Sequence, residues 1–409
     1  MTKPLDGIRI LEWAAWLAGP GASMMLGDVG AEVIKIEQPI VGDPSRGRGT
    51  KLFGGASDGR FERDRSADYI PINRNKKSIT VDVKKPKGRE VVYRLVTKCD
   101  VFLQNFRSVV RDRLKLDYAT LSQYNPKLIY ANVSGYGPDG PDNWRRGNDY
   151  IGQARSGFMT NLRLTVGEPA AVGSSFADHM TSIITAYGLV TALLARERLG
   201  KGQEIDTSII GSMVALQHHR LHNTFFHKEE QLRRDRKSIT NPLANHYECK
   251  DGKWICFSIL AADIVWPDFC RAVGIEELEK EPRFENVEKR AENSRELMEI
   301  LDGIFVTKTR NEWIEIIGKY RRIMFSPVNE GMEVADDPQM IENRYVIEYE
   351  QPPFGKIKSV GCPVKFHENP AGVQRPAPEL GEHTEEILSE IGEYSSDEIA
   401  QLKEEEVIG

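Results

Sequence analysis

The first half of the chain alternates short apolar strands with helices, and this rhythm limits the possible folds more than any other feature. Ile8 to Trp13 reads as a strand, Gly19 to Gly30 as a helix opened by glycine and proline, and Ala31 to Glu37 as a second strand. Ser78 to Val83, Val101 to Asn105 and Lys127 to Val133 are further strands, the last running into SGYG. Pro86 to Lys98 is a helix with proline in its first turn. Strand, helix, strand in this order predicts an α/β fold, a large Rossmann-like domain on a parallel sheet with right-handed crossovers. The stretch from Pro39 to Ala67 is charged and rich in glycine, which reads as a loop too polar to bury and long enough to carry function.

A chain of 409 residues exceeds one small core. We expect residues 1–227 to form the first part of the large domain. Residues 228–327 would be a polar connector and a smaller domain, and residues 328–409 a C-terminal segment returning to the large one. The smaller domain opens with two strands, His246 to Cys249 and Trp254 to Ile259, joined at Lys250-Asp251-Gly252.

The stretch Val172 to Met213 reads as a loop, a long buried helix, a tight turn and a strand. Met180, Ile183, Ile184, Tyr187, Val190, Leu193 and Leu194 recur at three- and four-residue steps, as on one buried helix face. Gly200 and Gly202 stop the helix, and Ile205, Thr207 and Ile209 alternate like a half-buried strand. Asp178 stands where the helix begins. Such an Asp is commonly a cap that accepts orphan backbone N–H groups. It is alternatively a nucleophile, kept ionised by the helix dipole.

A net charge of −6 provides no global basic field, so neither nucleic acid nor a membrane surface is expected as a partner. The five cysteines form no CxxC pair, and the N-terminus has no signal-peptide core, so a soluble, cytoplasmic protein is expected. Gly19-Pro20-Gly21 and Glu37 sketch a dinucleotide fingerprint, but Met24 stands where its third glycine would be. His218, His219, His222 and His227 share one predicted helix without HExxH, which favours a polar face over a metal site. The run from Arg233 to Lys237 reads as a solvated linker. Neither GxSxG nor GxxxxGK[ST] occurs. Lys76, Lys77, Lys84, Arg107, Arg111, Arg113, Arg145 and Arg146 fall near predicted strand ends, where together they would hold a polyanion such as a nucleotide.

Several ordered blocks resemble the family III (formyl-CoA transferase/CaiB-type) CoA-transferases: PLDGIRILEW, LAGPGASMMLGDVGAEVIKIEQP, GDPSR, NRNKKSITVDVKKPKG, VFLQNFR, FADHM…ARERLGKGQEIDTSI and GEHTEEIL. The resemblance implies an enzyme that moves coenzyme A from an acyl-CoA donor to a free carboxylic acid. Asp178 would be its nucleophile, forming aspartyl anhydride and thioester intermediates. No permanently bound cofactor or metal is implied, because coenzyme A thioester enters as substrate. By position, Leu17, Ala18, Gln38, Val81, Asp82, Val83, Lys84, Asn105, Phe106, Arg107 and Arg113 would hold the nucleotide side. Arg146, Asn148 and Asp149 would lie nearer the thioester. The resemblance also implies an interlocked homodimer, with a heteromer of homologues as the alternative.

This sequence departs from the family pattern in places. Gln38 replaces a basic residue of some relatives, and Leu17 stands where the oxalate-using branch has glutamine. That branch's glycine-rich loop has no counterpart between Asn241 and Lys253. A larger or less polar acid than oxalate is therefore expected. The related α-methylacyl-CoA racemases pair the Asp with a His, where this chain reads Gly147-Asn148-Asp149. Asn does not shuttle protons at neutral pH, which weakens that alternative. A non-catalytic CoA-binding subunit is a further alternative, against which Asp178 speaks.

Overall fold

The computed structural model describes residues 2–47, 68–162, 167–173, 175–230 and 235–409. Two compact units divide the chain. The first comprises Met1–Thr160, Ala170–Gln231 and Ile341–Gly409, the second Asn161–Pro169 and Leu232–Met340.

The first unit is built on six parallel strands: β1 (Arg9–Trp13), β2 (Glu32–Glu37), β3 (Lys76–Thr80), β4 (Val101–Gln104), β5 (Ile129–Ser134) and β6 (Gln203–Ser208). Their order is β3-β2-β1-β4-β5-β6, so the direction of winding reverses between β1 and β4. A crevice opens beyond the strands' carboxyl ends at such a reversal. Alternation along β1 sends Leu11 and Trp13 to one core, with Ile34, Phe102 and the C-terminal residues Ile387 and Ile408. Ile10 goes to the opposite core, with Val33, Val101, Leu189 and Leu193.

Helix α1 (Ala18–Asp28) follows β1, α2 (Pro86–Val96) follows β3, and α3 (Asp149–Arg155) precedes the long α4 (Phe176–Leu199). Then come α5 (Ile209–Leu216) and α6 (His218–His227), the latter carrying the four histidines predicted on one helix, with Gln217 between them. Ile209, expected in the strand, is the first residue of α5 and is buried there. The third strand spans Lys76–Thr80, starting before Ser78 and ending short of the expected Val83, because beyond Thr80 the chain bonds elsewhere: Asp82 N–H donates to Val407 O at 2.8 Å.

The buried face of α4 differs from the expected one, of whose residues Leu193 is buried. Ala177, Thr181, Ser182, Thr185, Leu189, Ala192 and Leu193 face inward. Ile183, Tyr187, Val190 and Leu194 are 44–70% exposed. The inward hydroxyls need no water: Thr181 Oγ1 donates to Ala177 O at 2.7 Å, and Thr185 and Thr207 share a bond of 2.8 Å. Small residues let α4 pack close to α1, where a Cβ on Gly21 would stand 2.5 Å from Ser182 Oγ.

The loop after β2 was expected to be unburied, yet Asp43, Ser45 and Arg46 are buried around a short turn at Pro44–Arg46. Ion pairing makes this affordable, as described below. The rest of that loop, 48–67, lies outside the described residues, as do the first residues of the Arg233–Lys237 run.

In the second unit, β7 (His246–Glu248), β8 (Trp254–Phe257) and β9 (Phe325–Val328) form an antiparallel sheet. It packs with α7 (Ala262–Val273), α8 (Ser294–Phe305) and α9 (Arg310–Ile317) around Tyr247, Phe257, Trp266, Phe269 and Trp313. The third strand was absent from the sequence reading. So was the hairpin of β10 (Val346–Gln351) and β11 (Gly355–Val360). Helices α10 (Thr384–Glu390) and α11 (Ser396–Glu404) close the first unit. No helix of the described residues is long and apolar enough to cross a membrane.

Candidate active site

A cleft of about 1880 Å³ lies at the carboxyl ends of β1, β2, β3, β4 and β5, entirely within the first unit. That exceeds the ~300–1,000 Å³ of an ordinary small-molecule pocket, so an extended ligand fits. The turn after β1 contributes Leu17 and Ala18, and the ends of β2 and β3 contribute Gln38 and Val81 to Lys84. Asn105, Phe106 and Arg113 come from beyond β4, Arg146, Asn148 and Asp149 from beyond β5, and Asp178 from α4. Arg107 alone among the residues expected at the site is not in the lining; its side chain is exposed.

The basic rim expected from the sequence is largely spent elsewhere. Lys76 is fully buried, 2.7 Å from Glu12, and Lys77 pairs with Glu32 and Glu386. Arg111 lies against Asp112 and Glu204, and Arg145 against Asp142. Lys84, Arg113 and Arg146 remain on the cleft wall. The dinucleotide reading also loses its acid. Glu37 accepts from Arg46 at 2.7 and 2.8 Å, from Asp43 N–H at 2.9 Å and from Ser78 Oγ at 2.6 Å.

Asp178 is the third residue of α4, and another carboxylate does the capping. Asp149 Oδ1 accepts the N–H of Ala177 at 2.5 Å and that of Asp178 at 3.3 Å. Its Oδ2 accepts Gln153 Nε2 at 2.7 Å, and Gln153 in turn holds both polar backbone atoms of Val172 at 2.9 Å. Asp178's carboxylate makes no hydrogen bond among the described residues, and it is only partly buried on the cleft wall. Burial first, and then the charge of Asp149, push its pKa up to about 7. The expectation that the helix end keeps it strongly ionised is therefore corrected. Near neutrality it is therefore divided between acid and carboxylate, and only the ionised form is a nucleophile.

Asn148 caps α3, accepting Ile151 N–H at 3.2 Å. Two glycines let the chain turn beside it: a Cβ on Gly135 would lie 2.7 Å from Gly147 Cα. On α6 the rings of His218 and His222 stack at 6.5 Å, His227 meets Phe226 edge-on at 5.1 Å, and His219 Nε2 lies 3.3 Å from Asn223 Nδ2. No group of three or more His, Cys, Asp or Glu side chains among the described residues converges as metal ligands would.

The profile of CoA-transferase family III matches residues 5–384, nearly the whole chain. The chain belongs to that family. The CoA-transferase is 32% identical over 403 residues to the succinyl-CoA:glutarate CoA-transferase of Homo sapiens, covering 98% of this chain and 89% of that one. It is 31% identical over 435 residues to the formyl-CoA:oxalate CoA-transferase of Bradyrhizobium diazoefficiens, with coverages of 98% and 96%. The crystal structure of a CAIB/BAIF family protein from Brucella suis superposes with a TM-score of 0.84 at 30% identity. That match covers 96% of this chain and all of the other. The enzyme thus moves CoA between acids, with acyl-CoA and carboxylic acid substrates.

Some cleft residues of this CoA-transferase escaped the sequence reading. His179, Ile183, Tyr187 and Val190 line it, as do Val360 to Val364 and Phe366 near β11. The outward apolar stripe of α4 was visible as periodicity, but periodicity does not say which face a protein buries. Residues beyond β11 carry no local signal of the cleft at all.

Proposed function

We propose that this enzyme transfers coenzyme A from an acyl-CoA to a carboxylic acid through covalent intermediates on Asp178. One observation carries the reading: a half-buried carboxylate on the cleft wall has been relieved of capping by Asp149 and has no hydrogen-bond donor among the described residues. Its oxygen attacks the thioester carbonyl, the new C–O bond forms, the C–S bond breaks, and CoA leaves as thiolate. The thiolate then attacks the aspartyl carbonyl of the anhydride, releasing the donor acid and leaving a thioester on Asp178. The acceptor carboxylate attacks that thioester, and the same two steps in reverse order deliver acyl-CoA and free Asp178. One thioester is exchanged for another, so no external energy source is needed.

Leu17, Ala18, Gln38, Val81 to Lys84, Asn105, Phe106 and Arg113 hold the nucleotide side in this reading, with Arg146 and Asn148 nearer the thioester. Asp149 holds the start of α4. The acceptor is a larger or less polar acid than oxalate, in keeping with Ile183, Tyr187, Val190 and Phe366 on the walls. The exposed stripe of α4 supports a homodimer, whose second chain would cover it.

The test is a trapped intermediate. Incubation with an acyl-CoA is expected to leave a mass adduct on the peptide containing Asp178, and Asp178→Ala to abolish both adduct and turnover. Turnover retained by Asp178→Ala overturns the reading, and solvent deuterium entering the α-carbon without an acceptor acid would indicate racemisation instead.

A further inference from the structure

Beneath the cleft lies a cluster of charges for which the transfer reaction has so far no use. Glu12 and Lys35 are cross-strand partners on β1 and β2, both fully buried, with Lys35 Nζ 2.6 Å from Glu12 Oε1. Lys76 reaches Glu12 Oε2 at 2.7 Å, Pro20 O at 2.8 Å and Asn73 Oδ1 at 3.0 Å. Lys35 also stands 2.9 Å from Asp43 Oδ2, so two acids and two bases neutralise one another. A buried ion cluster is weak support for stability, since apolar residues of the same volume often serve as well.

The two members nearest the cleft do something else: they grip the turn after β1. Lys35 Nζ donates to Ala14 O at 2.8 Å, and Asp43 Oδ1 accepts Trp16 N–H at 3.2 Å. Between them Asn105 holds both polar backbone atoms of Ala15, at 3.0 and 2.7 Å. Trp16 has φ +63°, a left-handed conformation that a bulky side chain adopts only when held there. Directly after the turn, Ser182 Oγ of α4 lies 3.3 Å from Leu17 O, 3.0 Å from Ala18 O and 3.1 Å from Asp178 O. The charge cluster, the turn and the first turn of the Asp178 helix are thus one continuous chain of contacts.

We propose that Asp43 and Lys35 are positioning residues for CoA transfer: they lock the Ala14–Ala18 turn with Trp16 in its left-handed conformation and so set the cleft floor against Asp178. The proposal rests on the reading of Asp178 given above. Asp43 is already engaged by Lys35, Trp16 and Ser45, so it acts through the turn and not by contact with the reacting atoms.

The test compares the full-length native chain with Asp43→Asn, which keeps an oxygen for Trp16 and removes the charge facing Lys35. Where Asp43→Asn is insoluble, Lys35→Arg serves, keeping the charge while misplacing the donor to Ala14. Acetyl-CoA and succinyl-CoA are the probes, and the readouts are adduct formation on Asp178, kcat for transfer and melting temperature. In soluble, folded variant both rates are expected to fall at least about tenfold. The same change made on top of Trp16→Gly should cost less than about threefold, because glycine adopts the left-handed conformation unaided. Rates within about threefold of the native chain, with only the melting temperature lowered, overturn the proposal. An equally large loss on top of Trp16→Gly overturns it too. If the native chain transfers CoA without labelling Asp178, the nucleophile reading fails, and kcat in the same variants still decides whether the turn is positioned by these residues.

Discussion

Asp149 and Asp178 are joined through one backbone bond: Asp149 Oδ1 accepts the N–H of Asp178 at 3.3 Å, and its charge raises the carboxyl of the residue it holds. The two acids divide tasks that spacing alone had left to one. Asp149 satisfies the helix start, and Asp178 keeps its oxygens for the cleft.

The pH dependence of adduct formation follows. Only ionised Asp178 attacks, so the rate is expected to rise with pH through about 7 and then level off. Stopped-flow measurement of CoA release against pH checks this, and a flat profile from pH 5 to 8 contradicts it.

The same raised value makes a stability prediction of opposite sign. A carboxyl whose folded-state pKa lies above its unfolded value binds its proton more tightly when folded, so its ionisation costs stability. The cost is absent below the group's ordinary value of 3.8 and complete above about 7. Asp178→Asn should therefore stabilise the enzyme by about 1–3 kcal/mol above neutrality and by little in acid. Denaturant unfolding at several pH values measures it.

Asp149→Asn separates charge from capping. The amide keeps an oxygen for Ala177 but sets its NH2 against Gln153 Nε2, so Asp149→Asn and Asp149→Ala should each cost about 1–2 kcal/mol. With the charge gone, the acid limb of the pH–rate profile should move to lower pH. Burial still holds Asp178 above its ordinary value, because burial is the larger cause.

Arg113 lines the cleft and Arg107 does not. Arg113→Ala is expected to weaken CoA binding by about tenfold, and Arg107→Ala by less than about twofold. Isothermal titration with free CoA distinguishes them; equal losses would return Arg107 to the site.

Ile183 and Tyr187 are 50% and 70% exposed on α4. If a second chain covers them, Tyr187→Lys should lower the yield of soluble dimer seen by sedimentation velocity or precipitate the protein. A native chain that sediments as a monomer at all concentrations ends the homodimer proposal.

Much of this was legible in the residues themselves. Strand and helix rhythm, the parallel sheet, the family blocks and the placement of Asp178 at a helix start are all written in short-range pattern, where periodicity and turn chemistry act over a few residues. What only the tertiary structure decided involves partners far apart in sequence. Asp149 and Ala177 are 28 positions apart, Glu12 and Lys76 64. Whether Lys76 faces a ligand or a buried Glu12, whether Glu37 is free or held by Arg46, and which face of α4 turns inward depend on what the folded chain brings alongside. The physical reason is that burial and charge pairing are properties of a neighbourhood in space, whereas local pattern records only neighbours along the chain.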